Sequence, residues 1–158
     1  MKKKYLVIGN PIDHSLSPKL HNYWIKKNNI NAVYEKKKLN NSDLKNLIVE
    51  IKKNKISGAN ITVPFKKEII NYVDNLSPEA QYTQSVNTIF LENGKIKGHN
   101  TDIEGFELSI KDTLFDVSGK KILILGAGGV VPSIIFALNK MKASKITVAN
   151  RTKDKAEN

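Results

Sequence analysis

No cysteine occurs among the 158 residues of the chain. Disulfide bonds and thiolate metal sites are therefore excluded. The three histidines, His14, His21 and His99, do not offer a substitute, because no two of them stand three or four residues apart, as paired ligands on a helix do. We expect no metal site.

Long apolar runs are also missing. The first one, residues 5–8, follows three lysines and is much shorter than the roughly 7–15 residues of a signal peptide. No segment approaches the roughly 20 apolar residues that a membrane span requires. These patterns predict a cytoplasmic protein without a membrane partner.

Arginine is scarce, since Arg151 is the single arginine among 26 basic residues in a chain of net charge +11. Such a charge raises nucleic acid as a partner. Proteins that bind nucleic acid, however, use arginine for bidentate contacts and place aromatic residues among the basic ones. Neither pattern is present in this sequence. We expect no nucleic-acid partner. The alternative, a basic nucleic-acid-binding protein, predicts duplex binding that weakens steeply with salt.

Strand and helix patterns alternate along the chain and predict the α/β class. The predicted strands cover residues 5–8, 32–39, 59–63, 86–92, 95–99, 121–125 and 145–149. Helices are predicted over 19–28, 65–75 and 103–114, after Ser42, after Ser77, and from the glycine-rich turn to about Met141. Ser17, Ser42 and Ser77 are the predicted N-caps. Asn93-Gly94 predicts a tight hairpin turn.

A break near residue 118 indicates a domain boundary, and only one β-α-β unit follows it. A dinucleotide-binding domain has about six strands in two such halves. The sequence therefore predicts a second domain that is incomplete at its C-terminal end.

Thr62 and Lys66 stand at the end of the strand predicted before Pro64. Open α/β sheets bind their ligands at the carboxyl ends of strands, which favours a chemical role for this lysine. A solvated lysine at a strand-to-helix corner is an equal alternative on this segment alone.

A glycine-rich turn joins a strand to a helix at Gly126-Ala127-Gly128-Gly129-Val130, where backbone N–H groups can hold a pyrophosphate. The match to G-x-G-x-x-G is imperfect because Val131 takes the last small position. The next strand ends in Asn150-Arg151-Thr152 and carries no acid for ribose hydroxyls. Arg151, with Lys155 one helical turn on, favours a 2′-phosphate and hence NADP. The alternative is a helix-start arginine on a basic surface.

Six separated motifs, in order, resemble those of the shikimate dehydrogenase family, and the resemblance covers all 158 residues. The motifs are Asn10-Pro11-Ile12-x-His14-Ser15-x-Ser17-Pro18, Asn60-x-Thr62-Val63-Pro64-x-Lys66, Val86-Asn87-Thr88, Gly98-x-Asn100-Thr101-Asp102, Gly126-Ala127-Gly128-Gly129 and Asn150-Arg151-Thr152.

The resemblance implies roles for six polar residues of these motifs. The implied substrate ligands are Ser15 and Ser17 for the carboxylate, and Thr62, Asn87 and Asp102 for the ring hydroxyls, with Lys66 and Asp102 as the catalytic pair. Purely structural roles are the alternatives for three of these residues. Ser17 could be a helix cap, and Asn87 and Asp102 could be turn or cap residues.

The resemblance also implies NADPH-dependent reduction of 3-dehydroshikimate to shikimate on the way to chorismate. The implied domains are a mixed-sheet substrate domain at 1–101, a connecting helix and linker at 102–118, and the first β-α-β unit of a Rossmann domain at 119–158. A quinate/shikimate dehydrogenase is a rival, as is a non-catalytic fragment, because the family's nicotinamide pocket and a substrate-contacting glutamine would lie beyond residue 158. The oligomeric state, a homodimer included, stays open.

Overall fold

The structure is a computed structural model that describes residues 2–152 and 154. The chain divides into two compact units, residues 1–99 and 100–158. Within the described residues, no helix is long and apolar enough to cross a membrane.

A six-stranded mixed sheet forms the first unit. Its strands are β1 (Lys3–Gly9), β2 (Ala32–Lys38), β3 (Gly58–Ile61), β4 (Asn75–Leu76), β5 (Thr88–Glu92) and β6 (Lys95–His99), in the order β2-β1-β3-β5-β6-β4. β1 pairs in parallel with β2 and β3, β5 is antiparallel to both β3 and β6, and β4 is parallel to β6. The helices are α1 (Ser17–Lys27), α2 (Leu44–Lys52) and α3 (Pro78–Thr83). The predicted mixed α/β sheet is confirmed.

The main core lies between the sheet and α2. The apolar face predicted for that helix, Leu44, Leu47, Ile48 and Ile51, is buried as expected. Phe65, Ile69, Ile89 and Ile96 join the same cluster. Apolar area removed from water is the main stabilising term of such a unit, and this cluster holds β3 and β5 in fixed positions beside each other.

The hairpin predicted at Asn93-Gly94 is confirmed, with β5 and β6 paired on either side of it. Both turn residues have positive φ, 51° and 75°, which matches the right-handed twist of the strands. Ser77 caps α3 as predicted, because its side chain accepts a hydrogen bond from the Ala80 N–H at 3.2 Å.

The two other predicted caps are wrong. The N-cap of α1 is Leu16, whose backbone is already helical, and Ser17 is the first residue of the helix. Ser15 takes over part of the capping, since its Oγ accepts a hydrogen bond from the Ser17 N–H at 3.3 Å. Ser42 lies inside a 3-10 helix, Asn41–Asp43, that precedes α2, and Asp43 accepts a hydrogen bond from the Asn40 N–H at 2.8 Å.

The helix predicted over 65–75 is also wrong. A turn follows β3, and a 3-10 helix, Glu68–Tyr72, leads into β4. The reason is a long-range bond: the Lys66 carbonyl accepts from the Val86 N–H at 2.8 Å instead of from a residue one helical turn later. Tertiary pairing therefore overrides local helix propensity here.

The second unit contains α4 (Asp102–Asp112), β7 (Lys121–Leu125), α5 (Val131–Lys140) and β8 (Lys145–Ala149). β7 and β8 pair in parallel, and α5 connects them, so the predicted β-α-β unit is present. α4 packs against α5. The domain bounds 1–101, 102–118 and 119–158 stay a prediction, and the helix start expected after Thr152 falls largely outside the described residues.

Candidate active site

The loops that follow β1 and β3 leave the sheet side by side, because these two strands are parallel neighbours. Backbone bonds continue past the strand ends: the Thr62 N–H donates to the Ile8 carbonyl at 2.9 Å, and the Asn10 N–H donates to the Val63 carbonyl at 3.0 Å. The loop with Ser15 and the segment with Lys66 therefore begin at the same edge of the sheet.

Gly9 allows these loops to approach closely. A Cβ at this position would lie 2.6 Å from Thr62 Cγ2 and 3.0 Å from the Val63 carbonyl oxygen. Real Cβ atoms essentially never come this near a neighbour, so only glycine fits without a shift of Thr62. Sequence reasoning assigned no role to Gly9, although a glycine at a strand end is the signal for such a close approach.

Lys66 and Asn87 are linked through the backbone. The Lys66 carbonyl accepts the Val86 N–H, and Asn87 is held on both sides: its N–H donates to the His99 carbonyl at 3.0 Å and its carbonyl accepts from the Ile61 N–H at 2.8 Å. Asn87 is buried, whereas Thr62 and Lys66 are half-buried. The structure thus brings three of the predicted site residues together at the end of β3.

The predicted serines occupy the loop after β1 and the start of α1. Both are half-buried, and the Ser17 N–H to Ser15 Oγ bond fixes their relative placement. Leu16 is the N-cap of α1, so Ser17 does not cap its own helix. Helix capping therefore does not explain the presence of this serine. A short hydroxyl pair at a sheet edge can bind a carboxylate.

Asp102 belongs to the second unit, where it is the first residue of α4. Its N–H donates to Asn100 Oδ1 at 3.0 Å, and Asn100 Nδ2 donates to Ser133 Oγ of α5 at 2.8 Å. Asn100 and Ser133 are both buried. These bonds anchor the start of α4 to the helix that follows the glycine-rich turn. The catalytic pairing of Asp102 with Lys66 stays a prediction.

The glycine-rich turn between β7 and α5 has open space beside its backbone. Gly126 has φ +105°, a conformation that suits glycine alone, and its N–H donates to the Ala149 carbonyl at 2.7 Å. A Cβ added at Gly126, Gly128 or Gly129 would meet no atom within 4 Å, so the space beside the turn is open. Backbone can therefore approach a ligand at the N-terminus of α5. Val131 takes the position where a small residue was expected, and it is buried.

Arg151 is the second residue after β8 and is exposed, while Asn150 Nδ2 donates to the Thr152 carbonyl at 2.7 Å. The guanidinium is thus solvent-accessible beyond the end of β8, where the 2′-phosphate was predicted to bind. Lys155, the second predicted cation, lies outside the described residues.

Among the described residues, no group of three or more carboxylate or histidine side chains is arranged to hold a metal ion. His21 instead stacks on Tyr34, with ring centroids 4.1 Å apart and an interplanar angle of 5°. Burial lowers the pKa of His21 and raises the pKa of Tyr34 well above its ordinary value.

A cleft of about 700 Å³ opens on the sheet face formed by β1, β3 and β5. Tyr34, Asn60 and Thr88 are among its lining residues, and none of the predicted site residues is. These three side chains are hydrogen-bonded in series, Tyr34 to Asn60 and Asn60 to Thr88. The predicted site lies instead at the strand ends. Tyr34, Asn60 and Thr88, which lie behind that site, were not among the predicted site residues.

Known proteins of one family match this chain. Residues 7–89 match the family model "Shikimate dehydrogenase substrate binding domain", and residues 109–158 match "Shikimate / quinate 5-dehydrogenase". A shikimate dehydrogenase (NADP(+)) of Pelagibacter ubique is 63% identical over 156 residues, which are 99% of this chain and 59% of that protein.

Solved structures of shikimate dehydrogenases also resemble this chain in fold. The crystal structure of shikimate dehydrogenase from Aquifex aeolicus has a TM-score of 0.91 at 44% identity, covering 99% of this chain and 58% of that one. The Thermus thermophilus enzyme in complex with NADP(H) and shikimate has a TM-score of 0.89 at 32% identity, covering 98% and 58%. The chain thus spans less than two thirds of these relatives. With one family model matching more than half of its residues, the chain belongs to the shikimate dehydrogenase family.

Proposed function

We propose that the polypeptide carrying these residues reduces 3-dehydroshikimate to shikimate with NADPH. The observation that carries the proposal is the joint edge of β1 and β3, where Thr62, Lys66 and Asn87 are held together by backbone bonds. The Pelagibacter relative, named a shikimate dehydrogenase (NADP(+)), supports it at 63% identity.

The substrate side of the proposed site uses short polar groups. Ser15 and Ser17 bind the carboxylate, while Thr62, Asn87 and Asp102 bind the ring hydroxyls. A small polyhydroxy acid requires several such groups at fixed positions, because each hydroxyl left unpaired on binding costs free energy. The close packing of Gly9 against Thr62 fixes one of them.

Lys66 is proposed as the proton donor. A bound NADPH would supply the hydride for reduction of the substrate carbonyl carbon. Negative charge then develops on the carbonyl oxygen, and the protonated lysine stabilises that charge and transfers its proton to the oxygen. Asp102 orients the ammonium group, as the other member of the proposed catalytic pair.

The residues of the glycine-rich turn fit the cofactor. Gly126 adopts a backbone conformation that suits glycine alone, and the open space beside Gly126, Gly128 and Gly129 leaves room for a pyrophosphate at the N-terminus of α5. Ala127 and Val130 complete the turn. The exposed Arg151 is the proposed partner of the 2′-phosphate, next to Asn150 and Thr152.

The domain roles follow from this assignment. Residues 1–101 bind the substrate, 102–118 connect, and 119–158 bind the cofactor. The proposed place of action is the cytoplasm, and a homodimer is the oligomeric state to be tested by light scattering.

The test separates four outcomes. NADPH oxidation by 3-dehydroshikimate, with quinate and NAD as comparison substrates, reports turnover; calorimetry with shikimate and with NADP reports each binding event. Turnover with NADPH supports the proposal. Turnover with quinate and NAD supports a quinate/shikimate dehydrogenase, which the second family model also names. Shikimate binding without turnover supports a binding role alone, and failure to bind shikimate contradicts the proposal.

A further inference from the structure

A chain of four hydrogen-bonded side chains runs across the sheet behind the proposed site, from β2 past β1 to β3 and β5. Tyr34 of β2 donates its hydroxyl proton to Asn60 Oδ1 of β3 at 2.7 Å. Asn60 Nδ2 donates to Thr88 Oγ1 of β5 at 3.0 Å, and Thr88 Oγ1 donates to Asn87 Oδ1 at 3.0 Å. We refer to Tyr34, Asn60 and Thr88 as the relay.

A backbone carbonyl determines the direction of these bonds. Asn60 Nδ2 also donates to the Asn87 carbonyl oxygen at 3.3 Å, and a carbonyl can only accept. This places the Asn60 amide nitrogen toward β5 and its Oδ1 toward Tyr34, so the tyrosine hydroxyl must donate. Thr88 Oγ1 accepts from Asn60 and has its own proton left to donate to Asn87.

Tyr34, at the start of the relay, is held firmly. Its backbone N–H donates to Asn22 Oδ1 at 3.0 Å, and its carbonyl accepts from Asn22 Nδ2 at 2.7 Å. The residue is 5% exposed, and its ring stacks on His21. Burial raises the pKa of Tyr34 well above its ordinary value, so its hydroxyl keeps the proton that it donates.

We infer that the relay fixes the orientation of the Asn87 side-chain amide, and that Tyr34, Asn60 and Thr88 are positioning residues for substrate recognition. With Oδ1 accepting from Thr88, the other position of the Asn87 amide is the Nδ2 donor. A flipped amide would place an N–H donor against Thr88 and leave the threonine proton without that acceptor. The inference rests on the proposed role of Asn87 as a ligand of a substrate hydroxyl.

The consequence concerns specificity. An amide nitrogen can only donate, so an Asn87 held in this orientation recognises a lone pair of a substrate oxygen rather than its proton. If the amide could rotate freely, Asn87 could bind either a lone pair or a proton of the substrate oxygen. Part of the binding free energy would then be spent on ordering the Asn87 side chain.

A first experiment follows the Asn87 side-chain amide in the ligand-free full chain by NMR. Its resonance is assigned by its loss in Asn87→Ala. Tyr34→Phe removes the first donor, three hydrogen bonds away from Asn87, and should shift this resonance. Tyr5→Phe is the matched control, because Tyr5 packs beside Tyr34 in the same cluster and none of the relay bonds involves it. An Asn87 resonance that is unchanged in Tyr34→Phe overturns the relay.

A second experiment measures shikimate affinity by calorimetry. Thr88→Val keeps the shape of the side chain and removes the hydroxyl, and it should weaken binding about tenfold, the equivalent of one lost hydrogen bond. Thr88→Ser, which keeps the hydroxyl, should restore affinity. Thr83→Val, a buried threonine in α3 whose hydroxyl donates to the Glu79 carbonyl, should leave affinity unchanged.

A double-mutant cycle separates positioning from general destabilisation. In an Asn87→Ala background, Thr88→Val should have no further effect on shikimate affinity, because nothing remains to be oriented. An equal loss in both backgrounds, or full affinity in Thr88→Val alone, overturns the inference. A wild-type chain that does not bind shikimate contradicts the proposed function instead, and the NMR experiment still decides the relay.

Discussion

Asn100 and Ser133 form a buried hydrogen bond of 2.8 Å that joins the start of α4 to the first turn of α5. The same asparagine accepts the Asp102 N–H at 3.0 Å. One side chain thus holds the predicted catalytic aspartate and the helix behind the glycine-rich turn in a fixed relation. The G-x-N-T-D motif therefore has a structural role, besides the chemical role proposed for Asp102.

Asn100→Ala should destabilise the protein by about 2 kcal/mol, because it leaves the buried Ser133 hydroxyl without this partner and removes the acceptor of the Asp102 N–H. Denaturant unfolding measures the change. Asn139→Ala, an exposed asparagine on α5, is the control and should stay within about 0.5 kcal/mol of wild type. Equal losses in the two variants would refute the structural role of Asn100.

Regular elements were the predictable part of this fold. The strands β7 and β8 have the bounds expected from their apolar runs, and the Asn93-Gly94 hairpin follows from two positions that require positive φ. The buried face of α2 follows from its period. Each of these depends on local sequence alone.

The errors arose where distant residues decide the local structure. The segment after Pro64 has a helical pattern, but Val86 takes the carbonyl of Lys66. The relay could not be read from the sequence, since Tyr34, Asn60 and Thr88 meet only in a sheet that places β3 between β1 and β5. Strand order depends on the packing of the whole unit, which no local pattern encodes.

Gly126→Ala and Gly105→Ala should change stability in opposite directions. Alanine at φ +105° is strained and should cost about 1–2 kcal/mol, with a parallel loss of NADP affinity. Gly105 lies within α4, where an added Cβ meets only open space, so alanine should stabilise by about 0.5–1 kcal/mol. Denaturant unfolding and calorimetry with NADP check both. A destabilised Gly105→Ala variant would contradict the helical assignment at this position.

Asp74 should make stability depend on pH in the acid range. A hydrogen bond from the Ile96 N–H, and then one from Lys52, lower the pKa of this carboxyl. Because the folded pKa is the lower one, the unfolded chain binds a proton first as pH falls. The stabilisation is therefore fully present above the ordinary value of 3.8 and is lost as pH falls through the folded pKa.

The comparison of wild type with Asp74→Asn tests this dependence. The difference in Tm should be largest near neutral pH and should disappear in strong acid. Asp112→Asn, which removes an exposed carboxylate at the end of α4, provides the reference. A Tm difference between wild type and Asp74→Asn that does not change with pH would argue against the Ile96 and Lys52 bonds.

Gly9→Ala should disturb Thr62, because the new Cβ would lie 2.6 Å from Thr62 Cγ2. We expect a loss of about 1–3 kcal/mol in stability and weaker shikimate binding. Thr62→Ser removes that methyl group, so Gly9→Ala should cost clearly less in a Thr62→Ser background. Equal costs in the two backgrounds would show that the Val63 carbonyl, 3.0 Å from the added Cβ, is the obstacle instead.

Lys66→Ala tests the chemistry in the polypeptide that carries these residues. If Lys66 donates the proton to the carbonyl oxygen, its loss removes a stabilisation that exists mainly in the transition state, and kcat should fall about 100-fold or more while KM changes little. Lys67→Ala is the matched control, since Lys67 is the exposed neighbour in the same turn and should retain wild-type kinetics. Steady-state rates of NADPH oxidation measure both. A change confined to KM would make Lys66 a binding residue and would leave the proton donor to be sought among the other groups at the end of β3.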